Sequence, residues 1–419
     1  SKGRIMYNGG IVLNQVGHSA KALQNDLILN GELTLEDIAG ELIEQNVKVS
    51  SLNGRCTANP RAIEIDNLDI RLEPNTSIGL QGKVIDYISL ISDDSKAKLV
   101  GYLNVTNLNI NDFISSDTTQ NSGNPIEEIS PIAFELNTTI NGFQYNDFNA
   151  EEFKGKLTSD RKTILTENTQ IKALQGVTKA DLAIKPWGNN VLLDIVSKVE
   201  GVDITELFKQ FNNFEQDEIT YQHLSGTLNG NITAKVLMDQ EYNPVLEKLY
   251  VKSDVEIING ALVNYKSLQE LSKFVDIEDL MNVQFKQLNN TIEIFDGTIF
   301  IPKMQIQNSA LNLELEGTHT FENEMKYQIG LSVAELLTKK ANWIAKRRER
   351  RIEDNPNGGM TAYIIMEGTP DDLRIRYDRA TVKETAKKEL KKERENFIKA
   401  LKGEETFEKK KDYDDVWDE

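Results

Sequence analysis

The residues most able to do chemistry are a single cysteine and a few pairs of neighbouring acids. Cys56 follows Arg55, and a neighbouring arginine can lower the pKa of a thiol. The acid pairs at 93–94, 371–372 and 414–415 could in principle bind Ca²⁺, but none has the ligand spacing of a calcium loop. We therefore interpret the cysteine as incidental and the acid pairs as solvated turns.

Other catalytic and metal-binding patterns are missing from the sequence. His18, His223 and His319 are far apart, and no other His or Cys stands near any of them, which argues against a zinc site. There is no Gly-x-Ser-x-Gly elbow, phosphate-binding loop, dinucleotide fingerprint or His-Glu-x-x-His motif. We expect a protein that is not an enzyme and that needs no cofactor or metal.

Composition restricts the possible partners and the possible location. The formal net charge of -18 disfavours nucleic acid, because phosphate binding requires a basic surface. Hydrophobic residues make up 39% of the chain, which is enough for a folded core. The sequence contains no apolar run of about 18 residues and opens without a signal peptide. We expect it to be a fragment of a longer protein.

One basic cluster interrupts this acidic composition. A predicted helix over 334–351 carries an apolar stripe next to Trp343, and its cationic side chains are Lys339, Lys340, Lys346, Arg347, Arg348, Arg350 and Arg351. Two interpretations remain open. The cluster is either an amphipathic contact with anionic headgroups or an acidic partner, or a solvated helix face whose long stems cover apolar surface.

The dominant pattern along the chain is alternation of apolar and polar residues. It is clear at 63–72, 292–306, 311–315 and 327–333. A period of two predicts strands with one apolar face and one wet face. Asn-Gly or Asp-Gly pairs at 8–9, 30–31, 53–54, 141–142, 229–230, 259–260 and 296–297 predict tight hairpin turns between the strands.

These signals predict a mainly β protein that consists of one long antiparallel meander. Roughly 20 to 25 strands spaced about 4.8 Å apart would form a sheet about 100 Å long. Because open sheets of more than about 10 strands curl, split or close, we expect a curled sheet that forms an open groove around its apolar face.

The chain divides into five predicted regions. A first β unit covers 1–115, a polar loop 116–131, a second β unit 132–220 and a third β region 221–380. A charged helical or disordered tail covers 381–419. Helices are expected near 265–280 and 334–351. The segments 101–113 and 194–208 are alike, and each predicts a strand that leads into a short helix capped by Asn or Asp.

The third β region resembles the C-terminal region of AsmA-like proteins. The resemblance covers about 221–378 and depends on an ordered succession of segments at 223–232, 255–262, 285–288, 292–301, 306–317 and 367–377. Its asparagine- and lysine-rich composition is similar to that of Bacteroidetes-type members. The resemblance implies a periplasmic body related to bridge-like lipid-transfer proteins, anchored in the inner membrane by an N-terminal helix and supporting the outer membrane.

This family likeness predicts that the groove holds phospholipid acyl chains. The predicted lining residues are Ile292, Ile294, Ile299, Ile301, Met304, Ile306, Leu311, Leu313 and Leu315. Without the resemblance, alternating strands would more often pack against a second sheet. Two other functions remain open: a structural or assembly subunit of a cell-envelope complex that docks through its sheet edges and tail, and a surface β-repeat adhesin.

Overall fold

A computed structural model describes most of the β-rich part of the chain. The residues described are 2–13, 27–42, 47–91, 96–113, 125–215, 217, 219–269, 272, 280–307, 312–332, 361–377 and 395. They contain 19 strands. In chain order these are β1 Lys2–Leu13, β2 Leu27–Leu42, β3 Val47–Ala58, β4 Ala62–Leu72, β5 Thr76–Ile85, β6 Lys98–Asn109, β7 Ala133–Tyr145, β8 Phe148–Ser159, β9 Ile164–Ala173, β10 Gly176–Trp187, β11 Asn190–Asp203, β12 Leu224–Met238, β13 Tyr250–Val263, β14 Asn282–Phe295, β15 Thr298–Ile306, β16 Leu313–Thr320, β17 Met325–Ser332, β18 Thr361–Gly368 and β19 Arg374–Tyr377.

All 19 strands belong to one sheet, in which each strand pairs with the next along the chain. Every pairing is antiparallel except that of β6 with β7, which is parallel. Among the described pairings, none joins β19 back to β1, so the sheet is open. The predicted long antiparallel meander is confirmed.

The parallel pair coincides with a predicted boundary. The loop expected at 116–131 joins β6 to β7, and two strands that run the same way need a long return connection. The strands of all three predicted β regions nevertheless continue one ladder. Whether these regions are separate repeat units stays a prediction.

The hairpin predictions based on Asn-Gly pairs are mostly wrong. Only Asp296-Gly297 forms a turn, between β14 and β15, and both of its residues have positive φ. The other six pairs lie inside strands, namely β1, β2, β3, β7, β12 and β13. Several of these glycines permit close backbone approach: a Cβ on Gly9 would lie 2.4 Å from the Gly31 Cα. The glycine is therefore required within the strand and not at its end.

The sheet bends strongly at its C-terminal end. Eight buried side chains form one cluster there: Leu280, Val283, Met325, Tyr327, Ile329, Leu331, Ile364 and Met366. Val283 lies at the start of β14, whereas the last six belong to β17 and β18. In a flat sheet β14 and β17 would be about 14 Å apart, at about 4.8 Å per strand. Contact across that separation requires the sheet to curl around its apolar face.

A local irregularity accompanies this bend. β14 pairs with β15 through only three residue pairs next to their turn. In β15 the register with β16 shifts between Ile301 and Met304. Pro302 lies within that shift, and proline has no N–H to donate to a ladder. The two strands therefore diverge where the sheet must turn.

The described helices are short. α1 (Ile204–Gln210) begins after β11, and the Asp203 side chain accepts a hydrogen bond of 2.8 Å from the Glu206 N–H. A 3-10 turn at Ile110–Asp112 follows β6, and Asn109 caps it in the same way. The predicted succession of strand, cap and short helix is confirmed at both places. Three further 3-10 segments occupy Tyr87–Ile91, Asn212–Glu215 and Leu246–Lys248.

The other helix predictions are covered only in part. α2 (Lys266–Gln269) is a single turn within the predicted helix at 265–280, and most of 270–279 lies outside the described residues. The predicted helix at 334–351 also lies outside them. Of the tail at 381–419, only Glu395 is described.

Candidate functional site

The strand register brings the predicted lining residues together on one face of the sheet. Ile294 of β14 pairs with Ile299 of β15. Beyond the shift in β15, Met304 pairs with Leu315 and Ile306 with Leu313. Directly paired residues share a face, and so do alternate residues of one strand. The bulge therefore returns the apolar side chains of β15 to the same face, which we call the inner face.

The predicted lining residues divide into two groups by their packing. Ile301, Leu313 and Leu315 pack against the buried cluster at the C-terminal end. All eight described members are partly buried, including the other five, Ile292, Ile294, Ile299, Met304 and Ile306. Leu311 lies outside the described residues, as do Trp343, Lys346, Arg347, Arg348, Arg350 and Arg351.

The inner face is apolar far beyond the predicted set. Following the pairings strand by strand from β14 towards β2 keeps apolar side chains on this face. Its members include Val255, Val251, Ile232, Ile195, Leu193, Ile184, Leu182, Ile171, Leu157, Phe153, Ile140, Leu136, Phe134, Leu103, Leu99, Val84, Leu80, Ile78, Ile70, Leu68, Ile65, Leu52, Leu35 and Leu33. With 19 strands about 4.8 Å apart, this face is on the order of 85 Å long.

Most of these inner-face side chains are partly buried and not sealed. All described strands belong to a single sheet, so no second sheet covers the inner face in the part of the chain that the structure describes. The partial burial therefore arises because the sheet curls and its own side chains approach one another. At β1 the face is most open, where Ile5 and Tyr7 are exposed.

Glycines on the inner face allow the strands to approach closely at its floor. Gly82 of β5 pairs with Gly101 of β6. A Cβ on Gly101 would lie 2.0 Å from the Gln81 carbonyl oxygen and 2.8 Å from the Gly82 Cα. Real side chains do not tolerate such distances, so glycine is required at this position by close backbone approach.

The opposite, outer face carries cross-strand ion pairs. Glu135 of β7 is 3.0 Å from the Lys98 Nζ of β6 and 2.7 Å from the Lys156 Nζ of β8. Asp194 of β11 pairs in the same manner with Lys185 of β10 and Lys235 of β12. Opposite charges on adjacent strands support the ladder, and they keep this face wet. The sheet is therefore amphipathic across its thickness.

Because of these ion pairs, we expect the free energy of unfolding to depend on pH in the acid range. Hydrogen bonds from Lys156 and Lys98 lower the pKa of Glu135 to about 2. A carboxyl whose folded pKa lies below its unfolded value stabilises the fold above the unfolded pKa of about 4.3. We expect this contribution to vanish as pH falls from about 4.5 to about 2, and Glu135→Gln to remove that part of the pH dependence of urea unfolding.

The two lysines provide the control for that prediction. In a Lys98→Met, Lys156→Met background, Glu135→Gln should leave the pH profile of the urea midpoint unchanged between pH 5 and pH 2. Profiles of the wild type and Glu135→Gln that run parallel over this range would contradict the assignment.

The sealed C-terminal end contains one polar pair on the inner face. The His319 Nδ1 lies 3.1 Å from the Tyr327 hydroxyl, and both residues are buried. Burial raises the pKa of Tyr327 well above its usual range. This hydrogen bond between two ring side chains satisfies polar atoms inside an apolar cluster, and it gives this end a packed interior.

Of the residues first considered for chemistry, Cys56 and the acid pair at 371–372 are described, whereas the pairs at 93–94 and 414–415 lie outside the described residues. Cys56 lies on the inner face between Leu33 and Ile65, and burial, followed by the charge of Asp66, raises the pKa of its thiol. The pKa of the Cys56 thiol is thus raised and not lowered, despite the neighbouring Arg55. Asp372 forms an exposed ion pair with Arg374 at 2.8 Å. The described residues hold no group of three His, Cys, Asp or Glu side chains suited to a metal.

Most of the inner face was not predicted from the sequence, because only residues between 292 and 315 were expected to line the groove. The same alternation was visible at 63–72, but bulges elsewhere hide it. The register shifts, for example, in β9 between Thr169 and Leu165 and in β11 between Val199 and Val202. Each shift changes the parity of the apolar residues in the sequence while the side chains remain on one face.

Comparison with known proteins finds nothing similar: no family model, no curated protein and no solved structure matches the chain. No helix in the described part of the chain has the length and apolarity needed to cross a bilayer.

Proposed function

We propose that the inner face binds the acyl chains of phospholipids, and that the protein holds or conducts lipid between the membranes of a bacterial envelope. The observation that carries the proposal is the continuous, partly buried apolar face along a single open sheet. Transfer of an acyl chain from water to such a surface lowers the free energy by about 25 cal/mol per Å² of apolar area buried. The outer face keeps its charges in water.

The resemblance to AsmA-like proteins supports the same proposal. It implies a periplasmic location, an inner-membrane anchor and a role in outer-membrane homeostasis. Polar side chains on the inner face such as Thr138, Ser197 and Ser253 are small and uncharged, so recognition would depend on chain length and apolarity more than on charge. We therefore propose low selectivity among headgroups within the groove itself.

The direct test is to measure the lipid that the protein carries. The full chain is purified without detergent, extracted, and its phospholipid quantified by mass spectrometry. We expect several phospholipids per chain, because each acyl chain would cover only part of a face on the order of 85 Å long. A preparation that is lipid-free, and that does not take up lipid from vesicles, would contradict the proposal.

A matched pair of variants assigns the lipid to the inner face. Ile184 and Leu193 pair directly on that face, whereas Leu165 and Val196 are exposed on the outer face. Ile184→Glu with Leu193→Glu should lower bound phospholipid about tenfold or more, because a charge beside an acyl chain is costly. Leu165→Glu with Val196→Glu should retain the wild-type amount. Equal losses in both variants would exclude the inner face as the site.

The edge of the sheet favours a second candidate function, docking of a partner in an envelope complex. β1 pairs with β2 on one side only among the described strands, and residues 2–10 are exposed. An unpaired strand edge can accept an extended segment from another chain. Both roles can coexist, and a stable complex that disrupts when proline is introduced into β1 would support docking.

A further inference from the structure

A contiguous patch of exposed aromatic side chains lies beside the inner face. Phe211 and Phe214 are 42% and 40% exposed, and their rings stack with centroids 5.6 Å apart and an interplanar angle of 6°. The Phe148 ring lies 5.5 Å from that of Phe211. Large aromatic rings that stack together and face water are unusual on a soluble surface, and they mark an interaction site.

Two exposed tyrosines, Tyr221 and Tyr242, are hydrogen-bonded through their backbone to residues next to these rings. The Tyr221 N–H donates a hydrogen bond of 2.8 Å to the Asn213 side chain, next to Phe214. The Tyr145 hydroxyl donates one of 2.5 Å to the Tyr242 carbonyl, and Tyr145 pairs with Phe148 across the turn between β7 and β8. We call Tyr145, Phe148, Phe211, Phe214, Tyr221 and Tyr242 the aromatic patch.

The backbone holds Phe214 in an unfavourable conformation. Asn212, Asn213 and Phe214 have φ values of 47°, 54° and 55°. Asparagine tolerates this left-handed region, but a bulky residue such as phenylalanine adopts it rarely. The fold therefore maintains local strain at the place where the ring is presented to solvent, which is typical of a functional position.

The aromatic patch is continuous with the inner face through α1. On the side of α1 towards the sheet, Leu207 and Phe208 pack against a buried cluster that includes Val199 and Leu228. The Phe208 ring also meets the Phe214 ring edge-on at 5.2 Å. An apolar cluster beneath α1 therefore joins the patch to the inner face.

The charges around the patch are predominantly acidic. Asp217 and Glu241 are exposed near it, and Asp239 is close enough to contribute to the raised pKa of Tyr145, after burial. The Lys209 Nζ forms an ion pair with the Glu206 Oε1 at 3.6 Å. Acidic neighbours repel anionic headgroups, so this surface fits a lipid interface of zero net charge.

We propose that the aromatic patch inserts into the headgroup region of a zwitterionic phospholipid bilayer, where lipid enters or leaves the inner face. The proposal rests on the lipid-binding function proposed above. Aromatic rings with polar tips are favoured at the membrane interface, and the patch combines phenylalanines with tyrosines. Because α1 lies between the patch and the lining, it is the element past which an acyl chain would move.

Flotation of the full chain with vesicles tests the proposal. One set contains phosphatidylcholine and phosphatidylethanolamine, and a second replaces about a third of the lipid with phosphatidylglycerol. We expect the wild type to float with the neutral vesicles, and less with the anionic ones at low salt. Phe211→Gln with Phe214→Gln should reduce flotation about tenfold or more, because two exposed rings lose their apolar insertion.

The matched control replaces two exposed apolar side chains on the outer face. Leu165 and Val196 are 40% and 61% exposed, and Leu165→Gln with Val196→Gln should float like the wild type. Unchanged circular dichroism and urea midpoints in both double variants establish that folding is intact. Equal loss of flotation in the two variants would overturn the proposal.

The remaining outcomes separate this proposal from the proposed function. A wild type that carries phospholipid but does not float would refute the patch and leave lipid binding standing. A wild type that floats but carries and takes up no lipid would refute lipid binding. If light scattering shows a dimer that Phe211→Gln with Phe214→Gln abolishes, a second copy covers the patch and the bilayer proposal is wrong.

Discussion

Gly101→Ala is expected to destabilise the protein by about 2–4 kcal/mol, in the range of mutations that force backbone apart. The added Cβ would lie 2.0 Å from the Gln81 oxygen and 2.8 Å from the Gly82 Cα. Because both contacts are with backbone, no side chain can rotate away to relieve them. The pairing of β5 with β6 must open, and the hydrogen bonds around Gly82 and Gly101 are weakened.

Gly10→Ala is the matched control for this change. No atom lies within 4 Å of a Cβ built on Gly10, so the same substitution should alter the free energy of unfolding by less than about 0.5 kcal/mol. Urea unfolding measures both values. Equal small effects at the two positions would show that β5 and β6 are not as close as the structure indicates.

The open architecture also predicts where the damage from Gly101→Ala will appear. Each of the described strands pairs only with its neighbours, so stability is approximately a sum of local terms, as in repeat proteins. Amide hydrogen exchange should increase in β5 and β6, while β17 and β18 keep the protection of their own buried cluster. Uniform loss of protection throughout the chain would indicate a fully cooperative fold.

The alternation of apolar residues predicted the sheet because its period of two is a local property of strands. Ile292, Ile294, Ile299 and Ile301 share a face for that reason, and the pairing of Ile294 with Ile299 follows from the turn at Asp296-Gly297. The capped helix after β11 was likewise predictable from Asp203. In these cases a few neighbouring residues determine the geometry.

Features that depend on distant strands were not predictable in the same way. Asn259-Gly260 resembles a hairpin signal, but the Phe285 ring of the next strand packs over Gly260: a Cβ there would lie 2.2 Å from ring atoms. The glycine is thus required by a residue that is 25 positions away. The aromatic patch was also not predicted, because its residues come from the adjoining ends of β7 and β8, from the segment between α1 and β12 and from the connection between β12 and β13.

The buried C-terminal cluster and the predicted lining differ in how they should respond to cavity-forming mutations. Leu331, at 1% exposure, is fully enclosed by the C-terminal cluster. Leu331→Ala should therefore cost about 2–5 kcal/mol, since the loss of buried methyl groups adds to the cost of a cavity. Ile292 is only partly buried, and Ile292→Ala should cost about 1 kcal/mol, because less apolar area is lost.

The amount of bound phospholipid should respond in the opposite order, with the larger effect at Ile292 and the smaller one at Leu331. If acyl chains occupy the open part of the inner face, Ile292→Ala should reduce the phospholipid that is carried, while Leu331→Ala should leave it unchanged in the fraction that remains folded. Ile364→Val provides a graded control inside the cluster, with an expected cost of about 0.5–1.5 kcal/mol. Comparable destabilisation at 292 and 331 would mean that the whole inner face is packed with side chains, because only an enclosed residue leaves a full cavity. In that case no part of the predicted lining would remain available to lipid.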